Sequence, residues 1–232
     1  MERVLSLPAD VASLAPRDLA DAARLVGAVP ADATAVEFRL DLADAPIPVT
    51  RLLELDPRPA ILTYRTAAEG GRFDGTGSEY RRLSLEAYAA GATVDVEHTS
   101  GLLDQPGLFP DRGRVVVSHH APFGLPEDWA GRLETMRTTG ARAVKLVAGA
   151  ADLMASLRIA GIQRGERDGA AVFPMGPASA PGRILSAFFG AALVYGPVER
   201  QTAPGQIPLR ELLSVYGIRR SRSIEALYGI VG

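Results

Sequence analysis

Apolar positions along the chain keep to two rhythms. Short runs of aliphatic and β-branched residues recur at Val4–Leu7, Ala35–Leu40, Ala60–Tyr64, Thr93–Glu97, Arg114–Ser118, Ala141–Leu146, Ala171–Met175 and Ala191–Tyr195, and they read as strands. Between them, Pro16–Val26, Ser78–Ala90, Pro126–Thr138, Ala151–Arg164 and Gly182–Phe189 repeat apolar residues at helical spacing, and Pro208–Tyr216 adds an amphipathic stretch at the end. Eight strands, each followed by a helix or helical loop, predict an α/β chain folded as a single parallel (β/α)8 TIM barrel. A doubly wound open sheet is the alternative, but no Gly-x-Gly-x-x-Gly follows the first strand. No linker or repeat divides residues 1–218, which form the expected barrel, and 219–232 read as a separate tail.

Side chains two apart on a strand share a face. That rule groups Glu37 with Arg39, Thr93 with Asp95 and Glu97, Thr63 with Arg65, and Ala143 with Lys145. The intervening residues, such as Val36, Phe38, Val94 and Val96, are apolar and suit a face covered by helices. The polar sets are therefore expected inside the barrel near the strand C-termini, where barrel enzymes carry their sites. Charges inside a barrel are costly unless paired, so several strands sharing the pattern point to function.

Composition narrows the chemistry. The chain has 232 residues, 47% hydrophobic and 22% charged, with a formal net charge of −2. That balance offers no global field for nucleic acid or an anionic membrane, so neither is an expected partner. There is no cysteine, which excludes disulfides, thiolate metal sites and cysteine nucleophiles. The longest apolar run, residues 184–195, is too short to span a bilayer, and no signal-peptide stretch opens the chain; a cytoplasmic location is expected.

Lysine occurs once, at 145; every other one of the 25 Lys and Arg residues is arginine. It sits in the apolar run Ala143-Val144-Lys145-Leu146-Val147. A guanidinium cannot give up its proton to become a nucleophile, whereas an amine can. From residues alone, Lys145 is either such a nucleophile or a core lysine whose stem packs and whose head reaches out. The histidines are His98, His119 and His120. Alternation from Ser118 turns His120 inward beside Lys145, where it could shuttle protons, and leaves His98 and His119 as loop or capping residues. No His/Asp/Glu spacing suggests a metal.

The local motifs resemble those of type I 3-dehydroquinate dehydratases. The resemblance runs through Val36-Glu37-Phe38-Arg39-Leu40-Asp41, Thr63-Tyr64-Arg65-Thr66-Ala67-Ala68-Glu69-Gly70-Gly71, Asp95-Val96-Glu97, Ser118-His119-His120, Val144-Lys145-Leu146, Met175-Gly176, Gly182-Arg183 and Ala203-Pro204-Gly205-Gln206, in family order. It implies a barrel of the class I aldolase type that dehydrates 3-dehydroquinate to 3-dehydroshikimate in the shikimate pathway, a hydro-lyase working without metal or cofactor. It implies that Lys145 forms an imine, His120 is the general acid/base and Glu69 orients it. Glu37 and Arg39 match residues on the ring hydroxyls, and Arg183 matches the carboxylate-binding arginine. Arg65 and Gln206 also match ligand contacts, and Ser6, ending the first strand, matches a substrate-contacting serine. Thr202 stands where the family commonly has serine, and the loop from it to Gln206 resembles a lid. The family also implies a homodimer.

Two rival functions remain at this point. A lysine-imine aldolase acting on a sugar phosphate would need backbone amides after strands seven and eight, whereas Arg183 suits a carboxylate. A barrel that only binds a metabolite would be expected to lack Lys145, His120 or Glu69. The tail residues Leu227-Tyr228-Gly229-Ile230-Val231-Gly232 look like the opening strand of a shikimate dehydrogenase domain.

Overall fold

The structure, a computed structural model, describes residues 3–219 apart from Arg167. The expected tail from Arg220 onward lies outside the described residues. Among the described residues there are eight strands: β1 (Ala9–Leu14), β2 (Ala35–Arg39), β3 (Ala60–Thr63), β4 (Thr93–Glu97), β5 (Val115–Ala121), β6 (Ala143–Gly149), β7 (Ala170–Met175) and β8 (Leu193–Pro197). They form one parallel sheet in the order β7-β6-β5-β4-β3-β2-β1-β8. Ala192 N donates to Ala170 O at 2.7 Å and nearly closes it into a barrel.

Among the described residues, seven α-helices lie between or after the strands: α1 (Leu19–Gly27), α2 (Val49–Glu54), α3 (Gly77–Ala89), α4 (Trp129–Thr138), α5 (Leu153–Arg164), α6 (Ala180–Phe188) and α7 (Leu209–Ser214). Their starts follow local chemistry. Asp18 and Asp152 cap α1 and α5 by accepting from Asp21 N and Ala155 N, and Thr76 with Glu79 forms a capping box on α3. Between β4 and β5 three short 3₁₀ turns, at His98–Ser100, Leu102–Asp104 and Arg112–Arg114, replace a helix.

The first strand departs from the expectation. It covers Ala9–Leu14, fully buried, and pairs with β2 from Val11↔Ala35 and with β8 from Ala9↔Leu193. Residues 4–7 precede it as non-strand chain, and Leu5 is buried with the barrel's inner apolar group while Val4 is 51% exposed. Ser6 is therefore exposed before the strand's N-terminus, at the end remote from the polar mouth, and Ser13 is the serine that stands near the strand's C-terminus.

Alternation divides the core in two. Val36, Phe38, Leu62, Val94, Val96, Val117 and Leu146 face outward and pack with the helices. Inside, Leu5, Val11, Ile61, Val116, Ala143 and Leu193 fill the end nearest the strand N-termini. Two residues further along, the inward positions turn polar: Ser13, Glu37, Thr63, Asp95, Ser118 and Lys145, all buried. An apolar floor thus supports a polar upper layer that the helices shield from water.

Candidate active site

Lys145, midway along β6, is 3% exposed, and its Nζ pairs with Asp95 Oδ2 of β4. Register sets Ser118 of β5 beside it, and Ser118 Oγ donates to Asp95 Oδ1 at 2.5 Å. The ring of Tyr195 lies under the amine, with its centroid 4.7 Å from Nζ. Burial raises the Asp95 pKa, but the charges of Arg65 and Lys145 outweigh it and hold the carboxyl well below the usual range.

Arg65, just past β3, organises the acids. Its Nη1 donates to Glu69 Oε2 (2.9 Å) and Glu97 Oε1 (3.0 Å), and its Nη2 to Asp95 Oδ1 (2.7 Å) and Ser118 Oγ (3.0 Å). The chain folds back over it: Phe73 N donates to Arg65 O, and a Cβ on Gly71 would lie 2.1 Å from that oxygen, so only glycine fits. Thr66 N and Oγ1 both donate to Glu97. Burial raises the Glu97 pKa despite Arg65.

Glu69 sits on the 3₁₀ turn Ala67–Glu69 and reaches across to the end of β5. Its Oε2 accepts from His120 N (2.9 Å) and His120 Nδ1 (3.2 Å). A carboxylate partner requires Nδ1 to carry the hydrogen, which leaves Nε2 with its lone pair. Burial lowers the His120 pKa, Arg65 repulsion adds to it, and the Glu69 bond only partly offsets both; the value is pushed down to about 3. The imidazole is thus neutral near pH 7. For Glu69 itself burial raises the pKa, but hydrogen bonds from His119 and His120 and the Arg65 charge prevail and lower it.

On the far side of the mouth, Glu37 accepts from Thr63 Oγ1 (2.9 Å) and Ser13 Oγ (2.5 Å). Arg39 grips Asp41 with two bonds of 2.8 Å and donates from Nη1 to Thr202 O at 2.6 Å. The loop 202–206 is tied down in the same way. Gln206 Oε1 accepts from Thr202 N, Thr202 Oγ1 and Ala203 N, and Ser13 Oγ lies 2.8 Å from Thr202 Oγ1. Gly205 has φ +75°, and a Cβ there would lie 2.0 Å from Gly176 O, so the loop seats against the β7–α6 connection.

Arg183, on α6, is 7% exposed and stacks 4.9 Å from the Phe173 ring centre. Its Nε has no hydrogen-bond partner, and among the described residues no carboxylate pairs with it. Burial alone lowers its pKa, to about 10. A buried guanidinium without an anion is a site for one.

These groups surround one cavity of about 40 Å³. Lys145, His120, Glu37, Arg39, Arg65, Arg183, Thr202 and Gln206 line it. Of the expected site residues, Glu69 stands behind His120, and Ser6 is remote. Arg65 reaches the cavity but spends its donors on the acids. Sequence reasoning gave no role to Ser13, Tyr195 or Phe173, nor to Asp95, although the last stood in a quoted motif. His119 is also buried, against Glu69 rather than in a loop. Among the described residues, no group of three or more His, Asp or Glu side chains could hold a metal ion.

A parallel barrel whose C-terminal mouth buries an amine, an imidazole and a guanidinium in one cavity has the build of a barrel enzyme. The family model for type I 3-dehydroquinase matches residues 11–223. The chain is 31% identical over 208 residues to the bifunctional 3-dehydroquinate dehydratase/shikimate dehydrogenase of Arabidopsis thaliana, covering 85% of this chain and 34% of that protein. It is 30% identical over 217 residues to the 3-dehydroquinate dehydratase of Methanothrix thermoacetophila, covering 90% of each. The crystal structure of 3-dehydroquinate dehydratase from Geobacillus kaustophilus has the same fold, with a TM-score of 0.78 at 20% identity over 95% of this chain and 98% of that one. The chain belongs to the type I 3-dehydroquinase family, lyases of the shikimate pathway that dehydrate 3-dehydroquinate. It spans about a third of the plant bifunctional relative and nine-tenths of the archaeal one.

Proposed function

We propose that this chain converts 3-dehydroquinate to 3-dehydroshikimate through an imine on Lys145. The observation that carries this reading is the burial of the chain's sole lysine on the barrel's inner face, in one cavity with His120 and Arg183. The substrate has a ring ketone, an adjacent methylene, a tertiary hydroxyl beyond it and a carboxylate. The Lys145 ammonium gives up a proton so that its amine can add to the ketone, and that proton goes to the departing oxygen, so water leaves and an iminium forms. The iminium draws electrons from the methylene, and His120 Nε2 takes a proton there to give an enamine. The enamine expels the hydroxyl as water with the proton from His120, and water then hydrolyses the product iminium and frees Lys145. Acid–base help of this kind is worth about 10²–10⁴-fold.

Arg183 binds the carboxylate, Glu37 and Arg39 face the ring hydroxyls, and Asp95 steadies the cationic nitrogen. The geometry supports each role. Arg183 has a free Nε, Glu37 and Arg39 line the mouth, and Asp95 already pairs with Nζ. A cavity of about 40 Å³ holds a few waters rather than a substituted six-membered ring. Admission therefore requires the Thr202–Gln206 loop to lift, and its return excludes water from the iminium. No cofactor enters the scheme.

The same proposal takes the enzyme as a cytoplasmic homodimer. Exposed Phe123, Leu153 and Met154 supply apolar surface for such a contact, and no described helix is long and apolar enough to cross a membrane. Sedimentation of the purified chain tests the dimer.

Replacement of Lys145 by Met tests the chemistry. Turnover of 3-dehydroquinate, followed by the ultraviolet absorbance of the conjugated enone, should vanish while the fold remains. Retained turnover would overturn the reading.

A further inference from the structure

A second imidazole stands beside the proposed base. His119 lies next to His120 in β5, and strand alternation turns it to the opposite face, yet it is 8% exposed. Its Nδ1 lies 3.3 Å from Glu69 Oε1, the oxygen that also accepts from Thr99 Oγ1 at 2.9 Å. Glu69 Oε2 serves His120 and Arg65. One carboxylate is thus divided between two adjacent imidazoles, one oxygen to each.

We propose that His119 is a positioning residue for the dehydration: by donating to Glu69 Oε1 it fixes the rotation of the carboxylate so that Oε2 meets His120 Nδ1. This rests on His120 being the acid/base. The terminal torsion of a glutamate is soft, so its orientation comes from its partners. Hydrogen bonds weaken steeply with misalignment, and a turned carboxylate would leave His120 free to change tautomer. Thr99 alone, exposed on the His98–Ser100 turn, is a weaker restraint.

His119 also tempers the charge that Glu69 shows to His120. The charged groups around this pair are Glu69 and Arg65 from the β3 loop, Glu97 and Asp95 from β4, Lys145 from β6 and Asp128 before α4. Without the His119 donor, the fuller charge on Glu69 favours the imidazolium of His120.

Steady-state kinetics of the full chain and three variants tests this. In His119→Phe, kcat should fall about 10-fold, as loss of such an outer partner does. KM should stay within about twofold, and the acid limb of the kcat–pH profile should move to higher pH. His119→Asn keeps an N–H donor and should recover most of the loss. An unmoved acid limb, or a Phe variant with unchanged kcat, would overturn the proposal, because a merely structural histidine would lower Tm alone. His120→Gln is the reference: if it retains turnover, the reading of His120 fails, whatever His119 does.

Discussion

Asp95 and Lys145 form a buried ion pair between β4 and β6, spanning the strand that separates them. Asp95 uses one oxygen for the amine and the other for Arg65 and Ser118. The pair holds Nζ in place and offers negative charge to a nitrogen that becomes an iminium. In Asp95→Asn, two buried cations lose their shared anion. Removing one partner of a buried pair costs about 3–5 kcal/mol. Stability in urea should fall by about that amount, and kcat should drop about 10²-fold, since the iminium loses a fixed counter-charge of the kind worth roughly that factor. A variant with normal kcat would show that Asp95 is only structural.

Arg183 gives the opposite balance of stability and binding. Its guanidinium is buried without a carboxylate, a cost to the free protein that a substrate carboxylate would relieve. Arg183→Met should raise the Tm of the ligand-free enzyme and raise KM about 30–160-fold, the worth of a charge-assisted pair of about 2–3 kcal/mol. The two should move together in calorimetry and kinetics; a lowered Tm with unchanged KM would place the carboxylate elsewhere.

Acid should destabilise the protein, and His120 sets part of the range. Its pKa falls from an ordinary value near 6.5 to about 3 in the fold. Between those values the unfolded chain binds the extra proton, so stability is full above about 6.5 and declines as pH falls toward 3. The lowered carboxyls Glu69 and Asp95 add losses in the same direction at lower pH. His120→Asn should flatten the slope of stability against pH between about 6.5 and 4.5. Thermal melts across that range check it; identical slopes would show that burial of His120 carries no such linkage.

The barrel and its inward polar layer could be read from alternation. Charged residues two apart on β2 and β4 could only face a buried polar interior, because the residues between them are apolar. The first strand was misplaced because Ala9-Asp10-Val11-Ala12-Ser13-Leu14 is small and polar, while Val4-Leu5-Ser6-Leu7 has higher strand propensity. Pairing with β2 and β8 decides the matter, and that information is tertiary. Ser6 consequently lies before the strand, at the end remote from the mouth, and Ser13 stands near the strand's C-terminus.

Asp95 was legible as an inward acid, but its partner lies fifty residues on, and the closed sheet alone brings them together. Arg65 was legible as a cavity residue and does line the cavity, but nothing local shows that Asp95 and Glu97 also converge on it. His119 reads as a loop or capping residue in the sequence for a related reason. Strand alternation places it outside the barrel, and outside means solvent only where nothing covers the strand end. The turn bearing Glu69 covers it.

Borohydride added to the enzyme during turnover of 3-dehydroquinate, with the adduct mapped by mass spectrometry, would trap the imine on Lys145. With one lysine in the chain, only the α-amino group competes for the label. Inactivation should depend on substrate, with the added mass on the peptide containing Lys145 and none in Lys145→Met. An active enzyme that survives the treatment unlabelled, or carries the label only at its N-terminus, would contradict it.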